Sequence, residues 1–226
     1  MRIEDYLRQG FCQTSLQYKQ YLSKRLVSDS TSLDFFCWQP PAEVAPCSRF
    51  TSSFGARGEK LRDFLITPIY SYGGGILAFE ARKILKEDSK YVLKYQTDRA
   101  SWNPYLLGVK KVTDTLWEGT GDVWLVEGVF DYTALEVAVP KSDAVMCTLR
   151  AGMTNLTFNH ILRFYTPSTT LNIVYDNDEA GRNKSKMIHR KFNQNGVRSV
   201  VWKYRGKDPN EVLTKGGLKT MRRMFT

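Results

Sequence analysis

The chain has 226 residues, with 33 Lys+Arg against 23 Asp+Glu and a formal net charge of +10. At 42% hydrophobic and 25% charged it has the make-up of a globular protein, which excludes disordered, collagenous and repeat classes. No apolar run approaches the ~18 residues of a membrane-crossing helix, and the opening MRIEDYLRQG lacks the apolar stretch of a secretory signal. The expectation is a cytoplasmic protein of one domain or two small ones, with no membrane partner.

In chain order, Leu16, Tyr18, Tyr21, Leu22 and Leu26 fall on one side of a helix, which the run Ser28 to Ser32 breaks. Pro40, Pro41, Pro46 and a Ser/Gly-rich stretch to Gly58 read as irregular connection. Phe64–Tyr70 and Ile76–Phe79 are two strands joined through Ser71–Gly75, a hairpin signal. The three glycines Gly73–Gly75 lack the following Lys-Ser/Thr and helix of a phosphate loop, so they read as a turn.

After Gly121 the rhythm changes. Strands are predicted at Val123–Val126, Ala144–Cys147, Leu171–Tyr175 and Arg198–Tyr204. Between them lie helical patterns at Tyr132–Val139, Leu156–Phe164 and from Glu179 to near Gln194. Apolar strands alternating with helices predict a parallel sheet covered on both faces.

The four cysteines, Cys12, Cys37, Cys47 and Cys147, form no close pair, and His160 and His189 lie far apart in sequence. A tetrahedral zinc site needs two ligands from one turn, so no zinc is expected and the thiols are read as reduced. The charge is uneven. From Arg182 to Thr226 there are 13 Lys/Arg against Asp208 and Glu211, so this fifth of the chain holds all the positive excess. Such a stripe suits a polyanion, because Lys and Arg neutralise phosphates and release counterions; a solvated helix face is the plainer alternative.

Three predicted strand ends carry acids. Val123–Val126 runs into Glu127-Gly-Val-Phe-Asp131, Leu171–Tyr175 into Asp176-Asn-Asp178, and the last strand is followed by Gly206-Lys-Asp208-Pro-Asn-Glu211. Ligands of parallel α/β sheets sit at carboxyl ends of strands, so all six acids are expected on one edge. Clustered carboxylates repel one another unless a cation joins them, and hard Mg²⁺ prefers such oxygens. For Asp131 and Asp178 taken singly, the competing reading is a helix cap.

These three motifs, in this order, resemble the signatures of the TOPRIM domain, in the version found in bacterial and phage DnaG-type DNA primases. Upstream, Tyr21-Leu22-Ser-Lys-Arg25, Arg62-Asp-Phe-Leu-Ile-Thr-Pro68-Ile69, Gly75-Ile-Leu-Ala-Phe-Glu-Ala-Arg82 and Lys94-Tyr95 resemble the N-terminal part of the primase catalytic core. The resemblance implies a mixed α+β N-terminal subdomain over residues 1–118. A compact, Rossmann-like TOPRIM domain with a mainly parallel sheet and a basic C-terminal segment would follow over 119–226.

It also implies DNA-dependent synthesis of short RNA primers on single-stranded DNA from ribonucleoside triphosphates, with Mg²⁺ or Mn²⁺, two ions in all. Glu127, Asp176 and Asp178 would be catalytic. Glu127, Asp131, Asp176, Asp178 and Asp208 would hold metal, and Arg62, Arg82, Lys94, Arg182 and Lys207 would bind nucleic acid or triphosphate. A replicative helicase and a separate zinc-binding initiation factor are the implied partners, since the cysteines exclude a zinc domain here. This chain has Asn210 where many primases carry an acid, which bears on a second metal. Trp102, Trp202, Tyr204 and Phe225 are aromatics available for base stacking or for core packing. The alternatives are a metal-dependent TOPRIM nuclease, and a single-strand-binding replisome module with a vestigial site.

Overall fold

The structure is a computed structural model and describes residues 11–12, 16–27, 31–38, 64–83, 90–93, 106–149 and 153–225. The chain divides into two compact units. The second comprises Lys24–Ser32, Ser71–Gly73 and Trp102–Thr226, and the first holds the remaining residues.

The first unit contains an antiparallel sheet in chain order: β1 (Phe11–Cys12), β2 (Phe36–Trp38), β3 (Phe64–Tyr70), β4 (Ile76–Lys83) and β5 (Lys90–Leu93). Helix α1 (Leu16–Lys24) lies between β1 and β2 in sequence. The predicted hairpin is present, with β3 and β4 paired from Phe64↔Lys83 to Ile69↔Ala78 and a bulge at the turn end. Leu65, Ile66, Ile69 and Ile76 are buried, so apolar burial fixes the register of this pair.

The second unit is built on a parallel sheet of β6 (Val123–Val126), β7 (Ala144–Cys147), β8 (Leu171–Ile173) and β9 (Ser199–Val201), ordered β7-β6-β8-β9. Every residue of β6, β7 and β8 is buried, as a sheet covered on both faces requires. The intervening helices are α2 (Val109–Glu118), α3 (Val129–Glu136), α4 (Asn155–Phe164), α5 (Glu179–Gln194) and α6 (Pro209–Phe225). One face of the sheet packs Leu125, Met146 and Ile173 against Val112, Leu116, Ile161, Ile188 and Phe192. Each such side chain stabilises the fold by about 1.5–3 kcal/mol. Helix α2 packs into this core through Val109, Val112 and Leu116.

A separate aromatic cluster joins Trp124, Trp202, Tyr204 and Phe225, with ring centroids 5.2 Å apart for Trp124–Trp202 and 5.6 Å for Tyr204–Phe225. Tyr204 and Phe225 are buried and Trp202 is half-buried, so these rings serve packing instead of base stacking; Trp102 lies outside the described residues. Among the described residues no helix is long and apolar enough to cross a membrane.

Candidate active site

The strand order places the site. From β6 the chain moves outward through α3 to β7, then crosses back through α4 to β8 and continues outward to β9. The direction reverses between β6 and β8, and a crevice opens at such a switch point beyond the carboxyl ends of the strands. The register pairs Leu125 with Ile173, so Glu127 and Tyr175 are level and Asp176 follows one residue later. The first two acidic motifs therefore flank that crevice.

In the first turn, Gly128 precedes α3 with extended backbone (φ −118°, ψ 155°) and supplies no side-chain cap. A Cβ there would stand 2.6 Å from Asp131 Oδ2, so glycine leaves the room in which the Asp131 carboxylate folds back on its own helix start. Asp131 is buried, lies in the first turn of α3 where the helix dipole favours an anion, and accepts from the Asn210 backbone N–H at 3.1 Å. It is not the cap itself. Glu127 is half-buried and accepts from Lys184 Nζ at 2.6 Å.

The second turn is closely held. Asp178 caps α5, accepting from the Gly181 N–H at 2.7 Å. Any Cβ at Gly181 would run into the Asp176 carbonyl oxygen, so only glycine lets the helix start this close to the strand. Asn177 ties this turn to the third: its Nδ2 donates to the carbonyls of Tyr204 (3.1 Å) and Gly206 (3.2 Å), and its N–H to Lys207 (2.7 Å). Arg182 Nη1 donates to the Asn177 carbonyl at 2.7 Å and leaves the guanidinium exposed. In the third turn, Asp208 accepts from Glu211 N–H at 2.7 Å and Glu211 from Lys207 N–H at 2.7 Å, a reciprocal cap ahead of Pro209 at the first position of α6. The Lys215 ammonium, then the Lys207 N–H, hold the Glu211 carboxyl below its usual range.

Tyr204 reports the electrostatics. Its hydroxyl donates to the Tyr175 carbonyl at 2.8 Å and is pushed up by burial, then by Asp131, Asp176, Asp208 and Asp178. Four carboxylates from three turns thus act on one buried phenol. Tyr175 is pushed up by burial first, opposed by its bond with Thr148, with Cys147 and Glu127 adding to the rise.

The structure brings Glu127, Asp131, Asp176, Asp178, Asp208, Arg182 and Lys207 to one edge of the parallel sheet. Arg82 belongs to the first unit, on β4, where its Nη2 pairs with buried Glu80 at 3.3 Å. Arg62 and Lys94 lie outside the described residues. Asn210 is buried, and its Nδ2 donates to the Arg25 carbonyl at 2.9 Å. It clasps Arg25 to α6, a role that needs an amide donor. Sequence reasoning missed Asn177 and Lys184. The first sits inside Asp-Asn-Asp, where a tie to another loop leaves no local signal; the second sits mid-helix, where a lysine reads as solvated.

Among the described residues, no three acids converge tightly enough to enclose an ion by themselves. The donor set nonetheless fits a hard cation: it is all oxygen, concentrates negative charge, and offers the one or two carboxylates that Mg²⁺ uses when water and substrate phosphates complete its shell.

Residues 124–213 match the Toprim-like family model. The chain is similar to the RNA polymerase domain of Mycobacterium tuberculosis primase DnaG, with TM-score 0.68 and 20% identity, covering 97% of this chain and 78% of that one. It is similar to the zinc-binding and RNA polymerase domains of Aquifex aeolicus primase at TM-score 0.68 and 19% identity, covering 93% of this chain but only 55% of that structure. A DnaG primase catalytic domain bound to single-stranded DNA matches at TM-score 0.67 and 19% identity, covering 98% of this chain and 74% of that one. The fold is that of a DnaG-type primase catalytic core with a TOPRIM domain. No curated protein matches the chain in sequence. Within this primase-core fold, the parallel sheet and its acidic carboxyl edge lie in the part that the Toprim-like model spans.

Proposed function

We propose that this chain is a DNA primase catalytic core, a DNA-dependent RNA polymerase that makes short RNA primers on single-stranded DNA. The observation that carries the reading is the set of three acidic turns at the carboxyl ends of a parallel sheet, on either side of its switch point, in a primase-core fold. A related catalytic domain is bound to single-stranded DNA, which supports the same template here.

Glu127, Asp176 and Asp178 would hold Mg²⁺ or Mn²⁺, with Asp131 and Asp208 beside them. Held there, the cation would supply charge stabilisation to the triphosphate and to an ionised 3′-hydroxyl of the growing strand. The protein's own part is orientation. The Asp131 and Asp208 bonds to backbone N–H groups and the Asn177 tie keep three loops in fixed relation, so the carboxylates meet substrate already aligned. Arg182 and Lys207 are exposed at the same edge and would engage phosphates, Arg182 through its planar fork and Lys207 as a point charge. Arg62, Arg82 and Lys94 would also bind nucleic acid or triphosphate. Exposed Lys186, Arg190, Lys203, Arg205, Arg222 and Arg223 carry the basic excess and favour a nucleic-acid partner.

The test is primer synthesis. Purified protein is incubated with mixed-sequence single-stranded DNA, four ribonucleotides of which one is labelled, and Mg²⁺ or Mn²⁺, beside Asp176→Asn. Short labelled RNA from the wild type alone supports the reading. Degradation of the DNA strand, or strand binding without new RNA even from a preannealed primer, would overturn it.

A further inference from the structure

Lys184 stands apart from the other cations of α5. Arg182, Lys186 and Arg190 are exposed and half-buried Lys191 donates to the Asn155 amide oxygen at 3.0 Å, whereas Lys184 is half-buried with its ammonium 2.6 Å from a carboxylate oxygen, Glu127 Oε1. Its neighbours three and four residues away along the helix are Ala180, Gly181, Met187 and Ile188, so no acid of its own helix holds it. It also sits in the N-terminal half of α5, the end whose dipole disfavours a cation. Helix electrostatics therefore do not account for the placement, and the carboxylate 57 positions earlier in the chain does.

The position is chemically specific. Glu127 is the acid at the end of β6, on the switch-point crevice, and Lys184 neutralises it through Oε1. An ammonium 2.6 Å from this carboxylate repels a divalent ion drawn to the same group. We propose that Lys184 is a tethered counter-ion for Glu127, displaced when the divalent cation takes up that carboxylate, and that it thereby sets the metal concentration at which the site loads. The proposal rests on the reading of the acidic edge as a metal site. Without metal, Lys184 relieves the repulsion between Glu127 and its acidic neighbours. With metal, the freed ammonium stays tethered by α5 beside the site.

The experiment is Mn²⁺ binding to the nucleotide-free protein, read from the free-ion paramagnetic resonance signal. Wild type is compared with Lys184→Met, Lys184→Gln, Lys184→Arg, Lys186→Met and Asp176→Asn, each checked for folding by its melting curve. Methionine and glutamine are both good helix formers, so two neutral variants guard against failure of either one. Lys184→Met and Lys184→Gln are expected to bind Mn²⁺ about three- to tenfold more tightly, the range of one half-exposed ion pair. Lys184→Arg should stay near wild type. Lys186→Met, which removes an equal charge from the exposed face, should change affinity less than twofold. If the neutral variants bind no more tightly while Asp176→Asn binds more weakly, the counter-ion role is wrong and the metal site stands. If Asp176→Asn binds as well as wild type, the metal-site reading falls and the proposal with it.

Discussion

The parallel sheet changes character along the length of its strands. In β6, Val123 to Val126 are almost wholly buried, and in β8 Leu171 to Ile173 have no exposed surface or very little. Beyond, at Glu127 directly after β6 and at Asp176 after buried Val174 and Tyr175, the same chain segments turn acidic and half-exposed. The interior is held by apolar area removed from water, which needs neither metal nor a particular pH. The edge is held by directional bonds, with carboxylates accepting from backbone N–H groups and Asn177 riveting two loops. Those bonds fix geometry while gathering several carboxylates, and Tyr204 registers them. One region makes the fold durable and the other carries the candidate site. Substitutions should separate the two.

The largest effect belongs to the edge. Asp176→Asn should lower primer synthesis about a thousandfold or more, the several kcal/mol of charge stabilisation that a held metal provides, without lowering the melting temperature. Activity within tenfold of wild type would detach Asp176 from the chemistry. Gly181→Ala should disturb both regions: its methyl group collides with the Asp176 carbonyl, and we expect about 3 kcal/mol lost in denaturant unfolding together with most activity. Leu125→Ala, in the sealed interior, should cost about 3 kcal/mol of stability but leave the turnover of the folded fraction within threefold.

Asn210→Asp sharpens the comparison at its border. It places one carboxylate oxygen against the Arg25 carbonyl while the other keeps the Arg25 guanidinium, from which Asn210 Oδ1 accepts at 3.4 Å, so chemical denaturation should show about 1 kcal/mol lost. Mn²⁺ affinity should not rise. Tighter Mn²⁺ binding in this variant would make the position part of a metal site after all. Asn177→Ala should cost about 1 kcal/mol for its side-chain bonds, and its activity should fall more than its stability because it aligns two acidic loops.

How much of this the sequence disclosed follows the same division. Strands β6 and β7 and helix α5 stand where the apolar runs and the acidic cap at Asp178 put them, because burial on both faces writes an unbroken pattern. Helix α3 begins at Val129, three residues before the expected start, because Gly128 opens it and Glu127-Gly-Val-Phe-Asp131 is a strand end plus a first helical turn. The last strand is shorter than expected: after Val201 the chain turns so that Trp202 and Tyr204 pack on Phe225. Helix α6 went unread because Gly216-Gly217 looks like a terminator, and the backbone does depart from helical geometry at Gly217. The acids were legible because each follows an apolar run. Asn177, Asn210 and Lys184 were not, since their partners are remote in sequence and no local pattern marks them.

The most direct test of the account measures labelled RNA product and melting temperature on the same preparations of wild type, Asp176→Asn and Leu125→Ala. A double dissociation is expected: Asp176→Asn melts like wild type or higher and makes no primer, while Leu125→Ala melts lower and, below its transition, makes primer at close to the wild-type rate. Full primer synthesis by Asp176→Asn would contradict the assignment of the acidic edge as the catalytic metal site.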